Sequence, residues 1–273
     1  TAGELPPRGL FLRGELEVGH KDHGAARTAL ERGIELGGED FRARMVLAAL
    51  AMSANESEVA EEHLRAAESD FPGYDDPSFS AELQLANLLE RRGDEDGANE
   101  ARLRWLAFNA GDFDVHFSVA AWLEREKRLE EAAELYRESN EIDPFRRHLH
   151  LAWGRTLAAL GRHDEALREF EVGLLVPREL DGDLLGGSVM GAMSGHGAGD
   201  QAIRELLGDG GATGAAPETM AERFEREEAL LEGWRALELV ELGREQEARA
   251  AMERALELDP TAESALRAKE RLP

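Results

Sequence analysis

The residue types of a hydrolytic triad gather in one stretch. Ser188, His196 and Asp200 or Asp209 would supply the nucleophile, the base and the acid that orients it. A nucleophilic serine also needs a strand-turn-helix setting that presents its hydroxyl, and the glycine-rich surroundings of Ser188 provide none. Gly195-His196-Gly197-Ala198-Gly199 has the glycines of a phosphate loop, but it follows no strand and no lysine follows it, so a turn is expected. His20 with His23 and His148 with His150 each offer two imidazoles, with Asp22 and Asp164 as acidic neighbours. A structural zinc site wants four organised ligands, and the chain has no HExxH and no cysteine. The expectation is therefore no catalytic residue, no metal and no cofactor.

The elements that would position these residues show a repeat. Leu151 to Pro177 reads as two short helices and a turn: Trp153, Leu157 and Leu160 follow helical spacing, Gly161-Arg162-His163 breaks it, and Ala166, Phe170, Gly173 and Leu174 restart it. Gly154, Ala166 and Gly173 leave room where two antiparallel helices approach. The same first-helix position is held by Gly14, Ala48, Ala86, Ala120, Gly154, Met190 and Ala236, at successive spacings of 34, 38, 34, 34, 36 and 46. Twelve residues later an alanine always follows, at Ala26, Ala60, Ala98, Ala132, Ala166, Ala202 and Ala248. Four residues further stand Leu30, Leu64, Arg102, Tyr136, Phe170, Leu206 and Met252, and only Arg102 departs from a large, mainly apolar residue.

A period near 34 with this small and large alternation resembles the tetratricopeptide repeat, as do the endings ALELDP at 255–260 and EIDP at 141–144. The resemblance implies an all-α fold, a right-handed α-solenoid of stacked helix-turn-helix units. It covers nearly the whole chain as one array. Repeats are expected at about 7–40, 41–73, 79–112, 113–146 and 147–178, followed by a degenerate repeat at 183–207, a Gly/Ala-rich insertion at 208–217, a repeat at 220–260 and a capping helix at 261–272. The linker Pro72-Gly73-Tyr74-Asp75-Asp76-Pro77 forbids continuous helix and predicts a bend. Asn55-Glu56-Ser57 fits the glycosylation pattern and is read as a turn. Gly187, Gly191 and Gly195 would form one stripe on a helix, which interior glycines also weaken. Val119, Trp122, Leu123, Leu135, Tyr136, Trp153, Leu157, Leu160, Leu167 and Phe170 are expected in the core.

Charge bounds the partners. At 273 residues and a formal charge of -25, the chain's field would repel nucleic-acid backbones and anionic membranes. No run approaches the roughly 20 apolar residues that span a bilayer, so membrane insertion is not expected. The chain opens at Thr1 rather than methionine, which fits a processed protein or part of a longer one and leaves the compartment open, cytoplasmic or exported.

In the resembled family the first helices line the concave face. Residues three before the small position are Phe11, Met45, Leu83, Phe117 and Leu151, an apolar ladder; those one after include Asn87, Ala121 and Arg155, and His148 lies beside them. The family's carboxylate clamps use lysine, arginine and asparagine on consecutive first helices. Only Asn87 matches, so a clamp is not expected. The resemblance thus implies a non-catalytic scaffold that binds a protein or peptide partner segment in this groove. The alternatives are self-assembly into dimers or filaments by end-to-end stacking and the accessory repeat region of a larger enzyme.

Overall fold

The computed structural model describes residues 5–38, 40–177 and 220–273. These residues form thirteen α-helices and no strand, an all-α helical-repeat fold of the solenoid class. The chain divides into two compact units, Thr1–Ala110 and Gly111–Pro273. Unit 1 holds α1 (Pro7–Gly19), α2 (His23–Glu35), α3 (Phe41–Ser53), α4 (Ser57–Asp70), α5 (Ala81–Arg91) and α6 (Glu95–Leu106). Unit 2 holds α7 (Phe113–Arg125), α8 (Leu129–Ile142), α9 (Arg147–Ala159), α10 (His163–Leu175), α11 (Met220–Glu241), α12 (Glu245–Leu258) and α13 (Glu263–Arg271). The expected repeat at 183–207, the insertion at 208–217, the Ser188, His196, Asp200 and Asp209 set, the loop Gly195–Gly199 and the Gly187, Gly191, Gly195 stripe all lie outside the described residues.

Consecutive helices pair as hairpins, and the turns explain why. After each first helix one residue adopts positive φ: Lys21, Asn55, Gly93, Lys127, Gly161 or Gly243. The next backbone N–H then reaches back into the helix, as when Arg128 N donates to Leu123 O and Arg162 N to Leu157 O, both at 2.9 Å. This left-handed closure satisfies carbonyls that a helix end would otherwise leave bare. The second helices α2 and α6, and the first helices α3, α5 and α7, start on side-chain caps. Asp22 accepts from Ala25 N, Asp94 from Gly97 N, Asp40 from Ala43 N, Ser80 from Leu83 N and Asp112 from Val115 N.

The small and large grammar is the packing itself. A Cβ added at Gly154 would lie 2.4 Å from the Phe170 ring, so the glycine is where α10 seats its largest side chain on α9. Gly14 receives Leu30 in the same way. Of the ten core residues expected in the fourth and fifth hairpins, eight are buried, and Trp153 and Leu160 are half-buried.

Two departures have physical reasons. In the third hairpin Arg102 is buried because its guanidinium pairs with Glu90 at 2.7 Å and with the Asn99 side-chain oxygen at 3.2 Å. Trp105 is buried too, its indole N–H donating to Tyr74 O at 3.3 Å beneath the proline-rich linker. In unit 2, α10 packs directly on α11: Gly173 faces Leu231, and Arg147 from α9 donates to the carbonyls of Gly173 on α10 and Phe224 on α11. The last helix packs Ala265 and Ala268 inward, whereas Leu266 lies exposed on the outer side of α13.

Candidate partner-binding face

The residues expected to line the groove separate into two groups. Phe11, Met45, Leu83, Phe117, His148 and Leu151 are buried. Phe11 fills the space left by Gly33 and Gly38, and Phe117 lies among the rings of Phe113, Tyr136 and His148 at centroid distances of 5.9, 5.6 and 4.7 Å. The apolar ladder is therefore core, held by contacts with its own and neighbouring helices. Asn87 in unit 1, and Ala121 and Arg155 in unit 2, remain half-exposed.

Arg155 is a half-exposed cation at the centre of a candidate site in unit 2. It projects from α9, 3.7 Å from the Glu124 carboxylate on α7, and its guanidinium carbon stands 5.5 Å from the centroid of the Trp234 ring on α11. Three first helices thus converge on one half-exposed cation. Glu124 is fixed from below by the Tyr136 hydroxyl, which donates to it at 3.3 Å. Burial, with the nearby Glu124 charge, pushes the Tyr136 phenol well above its ordinary value, so it stays a neutral donor. Trp234 is backed by Phe170, stacked at 6.3 Å.

The Glu124 contact is loose for a salt bridge, and the aromatic contact uses only one face of the guanidinium. Arg155 therefore keeps donors for a carboxylate or a main-chain carbonyl. Ala121 gives the small, apolar floor beside it. Sequence reasoning picked Arg155 and Ala121 and missed Glu124 and Trp234. The available signal was that Glu124 follows the small position Ala120 by one helical turn and that Trp234 precedes Ala236 on the next described first helix.

Two histidines bridge neighbouring helices, while His20 and His23 are exposed at the first turn. His150 Nδ1 lies 2.9 Å from the Glu169 carboxylate on α10 and its Nε2 lies 3.0 Å from Pro144 O. His163 Nδ1 on α10 lies 2.7 Å from the Glu238 carboxylate on α11. Burial raises the Glu238 carboxyl above its ordinary value, against the opposing effect of that bond. Among the described residues no three His, Asp or Glu side chains are grouped to hold a metal ion. No described helix is long and apolar enough to cross a membrane.

Hairpins of two short antiparallel helices, closed by left-handed turns and stacked small against large, define an α-helical repeat protein. The family model for the tetratricopeptide repeat matches residues 233–261, the end of α11 and the whole of α12. Residues 233–261 thus read as one tetratricopeptide repeat. The chain is similar to the crystal structure of YrrB, a TPR protein with an unusual peptide-binding site, at 17% identity over 89% of this chain and 98% of that one, with a TM-score of 0.49. It is also similar to crystal structures of MamA. One matches at 17% identity over 62% of this chain and 90% of that one with a TM-score of 0.40, and the AMB-1 protein at 19% over 61% and 89% with a TM-score of 0.42. No curated protein matches the chain.

Proposed function

We propose that the chain is a non-catalytic protein-interaction scaffold and that its unit 2 binds a peptide segment across the first helices α7, α9 and α11. The observation that carries this reading is Arg155, half-exposed at the meeting of those helices with unspent hydrogen-bond donors. A segment with an acidic side chain or an accessible main-chain carbonyl would meet Arg155, while its apolar side chains rest on Ala121 and Trp234.

Selection of random peptides against the immobilised chain tests it. Enriched peptides should carry an acid among apolar residues, and Arg155→Glu should weaken their binding at least about tenfold by turning attraction into repulsion. Failure to enrich any peptide, or binding indifferent to Arg155→Glu, would remove this face from the reading.

A second reading, self-association, is favoured by one feature of unit 1. Helix α1 exposes Leu12 and Leu16, 57% and 64% accessible, beside a cavity of about 480 Å³ lined by Leu10, Arg13, Ala25, Ala29 and Arg32 among others. A second copy would cover these leucines. Mass from light scattering should then grow with concentration, more steeply when salt screens the charge; a constant monomer mass removes this alternative.

A further inference from the structure

Unit 1 exposes an aromatic surface that the repeat pattern does not require. Phe41 opens α3, Phe71 follows α4, Tyr74 lies in the linker and Phe79 ends the short 3-10 turn after it. Their ring centroids are 5.1 to 6.0 Å apart, so the four side chains form one cluster. Phe108 extends it across Gly73, where an added Cβ would lie 2.3 Å from the Phe108 ring. Phe71 and Phe108 are 52% and 63% exposed.

The surface is held in place from beneath. Gly73 N donates to the buried Glu82 carboxylate at 2.6 Å, Ser80 Oγ donates to the other Glu82 oxygen at 2.8 Å, and Trp105 fixes the Tyr74 carbonyl. These contacts hold the linker against α5 and α6, with Phe41, Tyr74 and Phe79 half-buried and Phe71 and Phe108 left exposed. Exposed apolar clusters of this kind mark interaction sites.

Charge identifies the partner. The same linker carries Asp75 and Asp76, both exposed, and among the described residues Asp75 pairs with no cation. Asp76 accepts from Ser78 N at 2.9 Å and from Ser78 Oγ at 2.6 Å. The guanidinium groups on the flanking helices are engaged: Arg44 with Asp70 at 2.6 Å and Arg104 with Glu68 at 2.5 Å. Ring faces attract cations, free carboxylates attract them further, and the charge of -25 draws them in over a distance.

We propose that the Phe71, Tyr74 and Phe108 surface docks a cationic peptide segment of a partner protein, its guanidinium or ammonium groups stacked on the exposed rings and paired with Asp75. This site differs from the Arg155 face in both unit and charge preference, so each stands or falls by itself.

The test titrates the full chain with three synthetic peptides of equal length: an arginine-proline repeat, its glutamate-proline counterpart and a leucine-proline control. The arginine peptide should bind and should shift the ring resonances of Phe71 and Phe108, and the other two should not. Phe71→Leu with Phe108→Leu keeps apolar bulk but removes the π-faces, and it should weaken binding about tenfold. Asp75→Asn should weaken it several-fold. Equal binding by the double leucine variant would overturn the proposal, leaving general attraction to an acidic surface. Preference for the leucine peptide would overturn it in favour of an apolar docking site. Circular dichroism of each variant should match the parent, and a variant that fails this check is replaced by Phe71→Met, for which the same loss is expected.

Discussion

Units 1 and 2 use one repeat pattern, and unit 2 adds to the arginine-carboxylate pairs between hairpins a histidine-carboxylate pair and a buried arginine on a main-chain carbonyl. In unit 1 the cross-hairpin links are arginine-carboxylate pairs near the surface: Arg27 with Glu56, Arg92 with Glu61 at 2.6 Å and Arg104 with Glu68 at 2.5 Å. In unit 2 such pairs recur, Arg155 with Glu124 at 3.7 Å and Arg235 with Glu171 at 3.4 Å, and two other links join them between α9 or α10 and α11: the half-buried His163 with the buried Glu238, and the buried Arg147 on the Phe224 carbonyl. The pattern therefore dictates where helices touch, while the polar groups at each seam set how the contact responds to mutation and to pH.

The sharpest way to break the comparison is at the deepest contact of unit 2. Phe170 has no exposed surface and sits on Gly154, so Phe170→Ala should cost ~3–5 kcal/mol in urea-unfolding stability, with hydrogen-exchange protection lost in α9 and α10. A change below ~1 kcal/mol would mean that α9 and α10 collapse to fill the space. The converse substitution is smaller in effect. Gly154→Ala forces a methyl to within 2.4 Å of the Phe170 ring and should cost roughly 1–3 kcal/mol in the same assay.

Opposite pH responses are expected from the two units. In unit 1, burial lowers the His63 imidazole below its ordinary value of 6.5. Its contribution is present above that value and is lost as pH falls through it, because the unfolded chain takes up the proton first. In unit 2, burial raises Glu232 and Glu238 above their ordinary value of 4.5. Their contribution is complete below that value and is lost as pH rises through the raised one. Between neutral pH and about pH 5, hydrogen exchange should therefore show unit 1 losing protection relative to unit 2. His63→Phe should flatten the response of unit 1 and Glu238→Gln that of unit 2. A parallel response of both units in the parent chain would contradict this assignment.

The smallest effect concerns the turns. Lys127 adopts positive φ where glycine adopts it without steric cost, so Lys127→Gly should stabilise by about 0.5 kcal/mol in thermal unfolding. Asn55 tolerates the same conformation, and Asn55→Gly should be close to neutral. The difference between the two substitutions isolates left-handed strain from helix propensity.

The helices and their pairing were legible in the sequence because small and large residues repeat at fixed spacing, and Gly154 with Phe170 are indeed in contact. The division at Ala110 and Gly111 was not legible, since nothing in the spacing of Ala86 and Ala120 interrupts the period. The apolar ladder was legible as a pattern but not as to burial. Phe117 and Leu151 carry the same periodicity whether they line a groove or fill a core. Glu124 and Trp234 stand in register with the small positions Ala120 and Ala236, but their meeting at Arg155 was not legible because the three are far apart in sequence and come together only through helix packing. Arg155 stood out in the sequence because it is a lone cation at a position held mostly by small or apolar residues.

Where a partner segment lies on unit 2 is the question that decides the scaffold reading. Mapping by amide chemical shifts, with a selected peptide titrated into the isotope-labelled chain, answers it. Shifts concentrated at Ala121, Glu124, Arg155 and Trp234, and abolished by Arg155→Glu, are the predicted result. Shifts confined to the opposite helices α8 and α12, or unchanged by Arg155→Glu, would show that the first-helix face is not where this protein binds.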